Sequence, residues 1–243
     1  MIFLHGIGGG AESFSYQIDA FADAGYRAIA WDLPGYGGSP PLDEVTFPAL
    51  ADALAKLFER LSLASAHVVG HSIGGMIAQQ FARTNQDRLA SLVLAETSPA
   101  FGNTDGEFQK KFIAARLAPL EAGRTMAEVA KSVVPELVGR KIDTNKMAFA
   151  EACMAKVPPE VYGATLRCLV TFEGRDALSD IRVPTLVLAG QEDTNAPAAM
   201  MERMATKIEG AKFVCLPEVG HLANIESAHA FNCAVLDFID RHR

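Results

Sequence analysis

The stretch Gly70-His71-Ser72-Ile73-Gly74 sets one serine between two glycines, after the apolar pair Val68-Val69 and before the helix-like run Met76–Arg83. A serine hydroxyl is a weak nucleophile and needs a general base, which in turn needs a group to orient it. The G-x-S-x-G pattern between strand and helix is that of a nucleophile elbow. Such a turn holds the serine in a strained backbone with its hydroxyl exposed. Strand and helix then run so close that the residues two before and two after the serine must lack bulk. The helix N-terminus adds free N–H groups and the positive end of its dipole. A glycine-rich turn with an incidental serine would read the same, so the partners decide.

The partners stand further along the chain. "LPEVGHLANIE" offers His221, after the last apolar strand and before the last helix. His67 begins a strand, His229 and His242 fall on the terminal helix, His5 belongs to another loop, and His71 is expected to turn its side chain away from the serine. For the acid, "VLAGQEDTNAP" places Asp193 directly after a buried strand. Glu192 beside it is a rival, and Glu96 in "LAETSP" is a second, because that strand end faces the same crevice. A tetrahedral oxyanion needs two N–H donors, each contributing about 3 kcal/mol in a dry site. Ile73, after the serine, supplies one. The glycine-rich turn "FLHGIGGG", with Gly6, Gly8, Gly9 and Gly10, supplies the other from Ile7. That turn has neither the spacing nor the lysine of a phosphate-binding loop.

The elements that position these residues alternate along the chain. "RAIAW", "HVVG", "SLVLA", "PTLVLAG" and "KFVCL" read as strands apolar on consecutive positions, as parallel strands covered on both faces are. Segments 47–61, 77–83, 199–208 and 228–241 carry apolar residues at helical spacing. The fold class is therefore α/β, with a doubly wound, mostly parallel sheet. The alternation stops between Thr97 and Asp180, where helix-like pieces are split by Pro119, Pro135, Pro158 and Pro159. The expected division is a core of 1–96 and 181–243 with a helical insert at 97–180. Phe101, Phe108, Phe112, Met126, Met147, Phe149, Met154 and Phe172 of the insert are candidates to line a pocket, and Arg116, Arg124 and Arg140 to meet a substrate carboxylate.

Composition narrows the partners. The 243 residues carry a net charge of −7 with no cationic block, against a nucleic-acid or anionic-membrane partner. The first residues lack the basic region of a signal peptide, and no apolar run is long enough to span a bilayer, so a cytoplasmic location is expected. Cys153, Cys168, Cys215 and Cys233 lie far apart and are expected to be reduced thiols packed as small hydrophobes. No metal-ligand cluster and no cofactor motif is visible.

Five elements in order, "HGIGGG", "WDLPGYGGS", "VVGHSIGGM", "LVLAGQED" and "GHLANIE", resemble the α/β-hydrolase superfamily over nearly the whole chain. The order serine, acid, histidine is that family's. Among its members the resemblance is closest to 3-oxoadipate enol-lactonase-like hydrolases. It implies that Asp32 and Ser39 form a structural turn and that the insert is a cap. It also implies a β-hairpin before the strand at Ile2–Leu4. The chain begins at that strand, which is expected to become a sheet edge. The expected function is a serine hydrolase cleaving a small ester or lactone through an acyl-enzyme. The alternatives are a C–C bond hydrolase of ring-cleavage diketones and a non-turnover ligand receptor. A homodimer is left open.

Overall fold

In the computed structural model, residues 1–101 and 106–242 are described; residues 102–105, inside the expected insert, lie outside them. Among the described residues, six strands form one sheet in the order β2-β1-β3-β4-β5-β6, and each neighbouring pair is parallel. They are β1 (Ile2–Leu4), β2 (Ile29–Trp31), β3 (Ala66–His71), β4 (Leu89–Ala95), β5 (Thr185–Gly190) and β6 (Lys212–Leu216). The consecutive apolar residues divide between two faces as the pleat requires. Phe3, Val69, Val93 and Leu188 pack on one side, against Phe21 of α1 (Ser15–Asp23) and Phe231 and Val235 of the last long helix (Ala228–Ile239). Leu4, Val68, Leu92, Leu94 and Val187 pack on the other, against α2 (Phe47–Arg60) and α3 (Ile73–Asn85).

The first strand is not an edge. Ile2 pairs with Ile29 on one side and with Val68 on the other. The crossover through α1 returns the chain to the free side of β1, so β2 takes the edge, with Ile29, Ala30 and Trp31 only partly buried. The expected turn at Asp32 holds: its Oδ1 accepts from the Ala11 N–H at 2.7 Å, and its backbone carbonyl accepts from Ser39 Oγ at 2.6 Å.

Among the described residues, four α-helices lie between β4 and β5: α4 (Glu107–Glu121), α5 (Met126–Leu137), α6 (Thr144–Ala155) and α7 (Pro159–Leu169). Pro119 and Pro135 were expected to break helices, yet each lies inside the last turn of one, α4 and α5. A proline there removes a single ladder bond, and the buried Leu117 and Val134 hold those turns in place. Pro159 starts α7, where its fixed φ suits the first helical position. The remaining helices are α8 (Ala198–Ala205), α9 (Ala223–Glu226) and α10 (Ala228–Ile239). All four cysteines are free, but only Cys153 and Cys168 are buried. Cys215, on the edge strand β6, and Cys233, on α10, are exposed, contrary to the expectation that all four pack inside.

Glycines set how closely α3 approaches β3 and β1. A Cβ on Gly70 would lie 2.5 Å from the Gly74 carbonyl oxygen, and one on Gly74 would lie 2.3 Å from the Leu4 carbonyl oxygen. Gly74→Ala should therefore destabilise by about 1–3 kcal/mol through overpacking. Thermal unfolding checks this, at about 2–4 °C per kcal/mol for a chain of this size. Gly38→Ala, where a Cβ meets nothing within 4 Å, should move the midpoint far less.

Candidate active site

Ser72 caps α3 with φ 54° and ψ −121°, a backbone conformation that a non-glycine residue rarely holds. Its neighbours over-determine it. The Ser72 N–H donates to the Ala95 carbonyl at 3.0 Å, and Thr97 Oγ1 donates to the Ser72 carbonyl at 2.6 Å. The serine thus sits where the C-terminal ends of β3 and β4 meet the start of α3.

His221 and Asp193 converge on it from loops after β6 and β5. His221 Nε2 is 3.0 Å from Ser72 Oγ, and His221 Nδ1 is 2.7 Å from Asp193 Oδ2. A carboxylate oxygen accepts, so Nδ1 carries the proton and Nε2 is free to accept from the hydroxyl. Asp193 Oδ1 accepts from the N–H groups of Asn195 and Ala196, at 2.7 and 3.0 Å. Burial works against this carboxylate, but His221 and these N–H groups outweigh it and hold its pKa below the usual aspartate range.

The two rival acids stand elsewhere. Glu192 is covered by Arg140, which gives it three hydrogen bonds, two from the guanidinium and one from its N–H, at 2.7 to 3.0 Å. Glu96 is buried beside the crevice, with φ 42°, and neither carboxyl oxygen has a hydrogen-bond partner among the described residues. Burial, then the nearby charges of Asp193 and Glu226, push its pKa well above the ordinary glutamate value.

The two N–H donors named from sequence lie in peptides fixed by their other halves. A trans peptide points its N–H opposite its carbonyl. The Gly6 carbonyl, in the peptide of the Ile7 N–H, accepts from His5 Nδ1 at 2.8 Å and from the Gly9 N–H at 2.9 Å. His5 Nε2 accepts from the Leu33 N–H at 3.0 Å, which fixes its tautomer; burial lowers its pKa to about 4 and keeps it neutral. Tyr36 holds the next carbonyl, that of Ile7, at 3.0 Å. The Ser72 carbonyl, in the peptide of the Ile73 N–H, takes the Thr97 hydroxyl and the Gly75 N–H. The loop is close to the serine: a Cβ on Gly6 would lie 3.3 Å from Ser72 Cβ.

His71 is a correction. It turns into the site, where Nε2 donates to the His221 carbonyl at 2.6 Å. Burial, then His221, lower its pKa to about 3, so it stays a neutral donor. Nothing in the sequence pairs residues 71 and 221 in this way. Glu226, Gly139 and Gly220, which pack around the His221 loop, also escaped the sequence reading, because an acid on a helix reads as a solvated face.

A cavity of about 550 Å³ opens over Ser72 and His221. Of the aromatic and methionine candidates, Phe101, Phe108, Phe112 and Met154 line it. Met126 and Phe172 are buried core residues, while Met147 and Phe149 pack against the core partly buried. Of the three arginines, Arg116 lines the cavity, with its guanidinium 5.6 Å from the Phe112 ring centre and 3.6 Å from Glu136. Arg140 is taken by Glu192, and Arg124 is exposed. Among the described residues no cluster of three metal-ligating side chains occurs, and no helix is long and apolar enough to cross a membrane.

A parallel sheet carrying a serine, a histidine and an aspartate at its strand ends defines a hydrolase of the α/β type. The chain belongs to that family: the profile of the α/β hydrolase fold matches residues 1–228. It is 29% identical to the pimeloyl-[acyl-carrier protein] methyl ester esterase of Aromatoleum aromaticum, over 97% of this chain and 95% of that one. A thermophilic esterase from Thermogutta terrifontis superposes with a TM-score of 0.89 at 28% identity, covering 99% of this chain and 89% of that one. The enol-lactonase of Burkholderia xenovorans LB400 shares the fold, with a TM-score of 0.88 at 24% identity over 98% and 90% of the two chains.

The contrast between the carboxyls is testable. Asp193→Asn should lower kcat by about 10⁴, because it favours the wrong histidine tautomer, while Glu192→Gln and Glu96→Gln lose far less. For Glu96 the folded pKa lies above the unfolded one, so its contribution to stability is present at low pH and is lost as pH rises through the folded value. Glu96→Gln should therefore raise the melting temperature relative to wild type more at pH 8 than at pH 5. A gain that shrinks with rising pH would contradict the assignment.

Proposed function

We propose that this α/β hydrolase cleaves an ester or lactone bond in a small, carboxylate-bearing substrate through an acyl-enzyme on Ser72. The observation that carries the reading is the chain of contacts from Ser72 Oγ through His221 to Asp193, at 3.0 and 2.7 Å, beneath the cavity. Ser72 Oγ attacks the carbonyl carbon as its proton passes to His221 Nε2. The Ile7 and Ile73 N–H groups take the oxyanion, and Asp193 steadies the imidazolium. Collapse breaks the bond to the leaving oxygen, which receives the proton from His221. Water, deprotonated by the same nitrogen, then attacks the acyl carbon and releases the acid and Ser72. The esterases among the relatives support the bond type. We read the helical insert, 97–180, as the cap that closes the pocket.

Arg116 supports the carboxylate. It is the arginine of the three sequence candidates that lines the cavity, and its side chain is only 20% exposed. A charged hydrogen bond to a remote carboxylate fixes the substrate's orientation, and binding energy spent on orientation appears at the carbonyl.

Ser72→Ala should fold and lose about 10⁴–10⁶ in kcat. A pre-steady-state burst with a p-nitrophenyl ester should appear in the wild type and vanish in the variant. A protein that binds esters without a burst or turnover would be a receptor. A carboxylate-bearing enol-lactone should exceed neutral p-nitrophenyl esters in kcat/KM. Arg116→Met should erase about 10- to 150-fold of that preference, the worth of one charge-assisted bond. A ring-cleavage diketone that outruns both substrates would replace the ester and lactone reading with C–C hydrolysis.

A further inference from the structure

One side chain takes the N–H groups of the residues on both sides of His221 and joins them to the cap. Glu226, the last residue of α9, accepts from the Gly220 N–H at 3.0 Å and from the Leu222 N–H at 2.9 Å. The oxygen that takes Gly220 also takes the Gly139 N–H, just beyond α5, at 2.7 Å. The His221 N–H itself donates to the Leu137 carbonyl at 2.6 Å. The two segments meet glycine against glycine. A Cβ on Gly220 would lie 2.5 Å from both the Gly139 nitrogen and the Leu137 oxygen. A Cβ on Gly139 would lie 2.7 Å from the Glu218 carbonyl oxygen and 3.1 Å from Glu226 Oε2. The same cap segment reaches the other loop, where Arg140 grips Glu192 beside Asp193. Hydrogen bonds to an ionised acceptor are short and strong, and a carboxylate that takes three N–H groups fixes three peptide planes at once.

We propose that Glu226 is a positioning residue for the base: its carboxylate ties the N–H groups of Gly220 and Leu222, the residues on either side of His221, to that of Gly139, so that the seating of the cap sets the aim of the imidazole at Ser72. This rests on the reading of Ser72, His221 and Asp193 as the triad. The base is then assembled by the cap rather than by the sheet domain alone. A substrate that seats the segment 137–140 improves the alignment that attacks it. Glu226→Gln is the direct test, since its amide nitrogen must face one or more of the N–H groups that the carboxylate accepts.

The experiment compares the full-length wild type, Glu226→Gln, Gly139→Ala and Ser72→Ala. Each is assayed for kcat and KM on a neutral p-nitrophenyl ester, with active sites counted by a fluorophosphonate probe and folding followed by thermal unfolding. A misaimed base should lower kcat per titrated site by about 10- to 100-fold, with KM within about threefold of wild type. Gly139→Ala presses on the same carboxylate from the cap side and should show the same split, which keeps the test open if Glu226→Gln does not fold. Full kcat per titrated site with only a lowered melting temperature would make Glu226 a structural residue and overturn the proposal. Turnover by Ser72→Ala would instead remove the triad reading, and the proposal with it.

Discussion

The left-handed backbone at Ser72 is the constraint on which the rest of the molecule depends. It exists because β3 ends at His71 and α3 begins at Ile73, with Gly70 letting β3 run against α3 and Gly74 letting α3 run against β1. Strain of this kind costs on the order of 1–3 kcal/mol and persists where surrounding contacts over-determine it. Here those contacts come from β4, through Ala95 and Thr97, and from the loop after β1, through Gly6. The central strands therefore serve the serine directly, and their parallel order brings the loops after β5 and β6 to the same end of the sheet.

At that end, environment separates three carboxyl groups of nearly identical chemistry. Asp193 is buried but surrounded by donors, so it stays charged and holds His221. Glu226 faces peptide N–H groups and acts on the backbone. Glu96 has no donor, and burial drives it toward the neutral form. Which acid does which task is decided by hydrogen-bond donors within reach, not by residue type.

The insert adds much of the cavity wall. It supplies much of the apolar lining, together with Arg116, whose guanidinium is placed over the Phe112 ring. It is also bound to the core through the backbone of Leu137 and Gly139 and through Arg140, close to His221 and Asp193. The segment that walls the cavity at Leu137 thus also holds the His221 loop.

Much of this was legible in the sequence. Consecutive apolar residues marked the central strands, because a sheet buried on both faces leaves no polar positions. The glycines around Ser72 marked the elbow, because nothing else fits there. Asp193 and His221 followed from their places after apolar strands, since parallel strands end on one side. Other features waited for the tertiary structure. The place of β1 between β2 and β3 depends on where a crossover returns, which no local pattern encodes. Pro119, Pro135 and Pro159 read as breaks between helix-like pieces, while packing tolerates a proline in a last turn, as in α4 and α5, or at a first position, as in α7. The bond from His71 to the His221 carbonyl, the cluster on Glu226 and the choice of Arg116 over Arg124 and Arg140 join residues far apart in the chain. Residue type and spacing determined the chemistry this protein carries. Only the folded chain decided which donors reach which acceptors, because that depends on distances between segments that meet nowhere but in space.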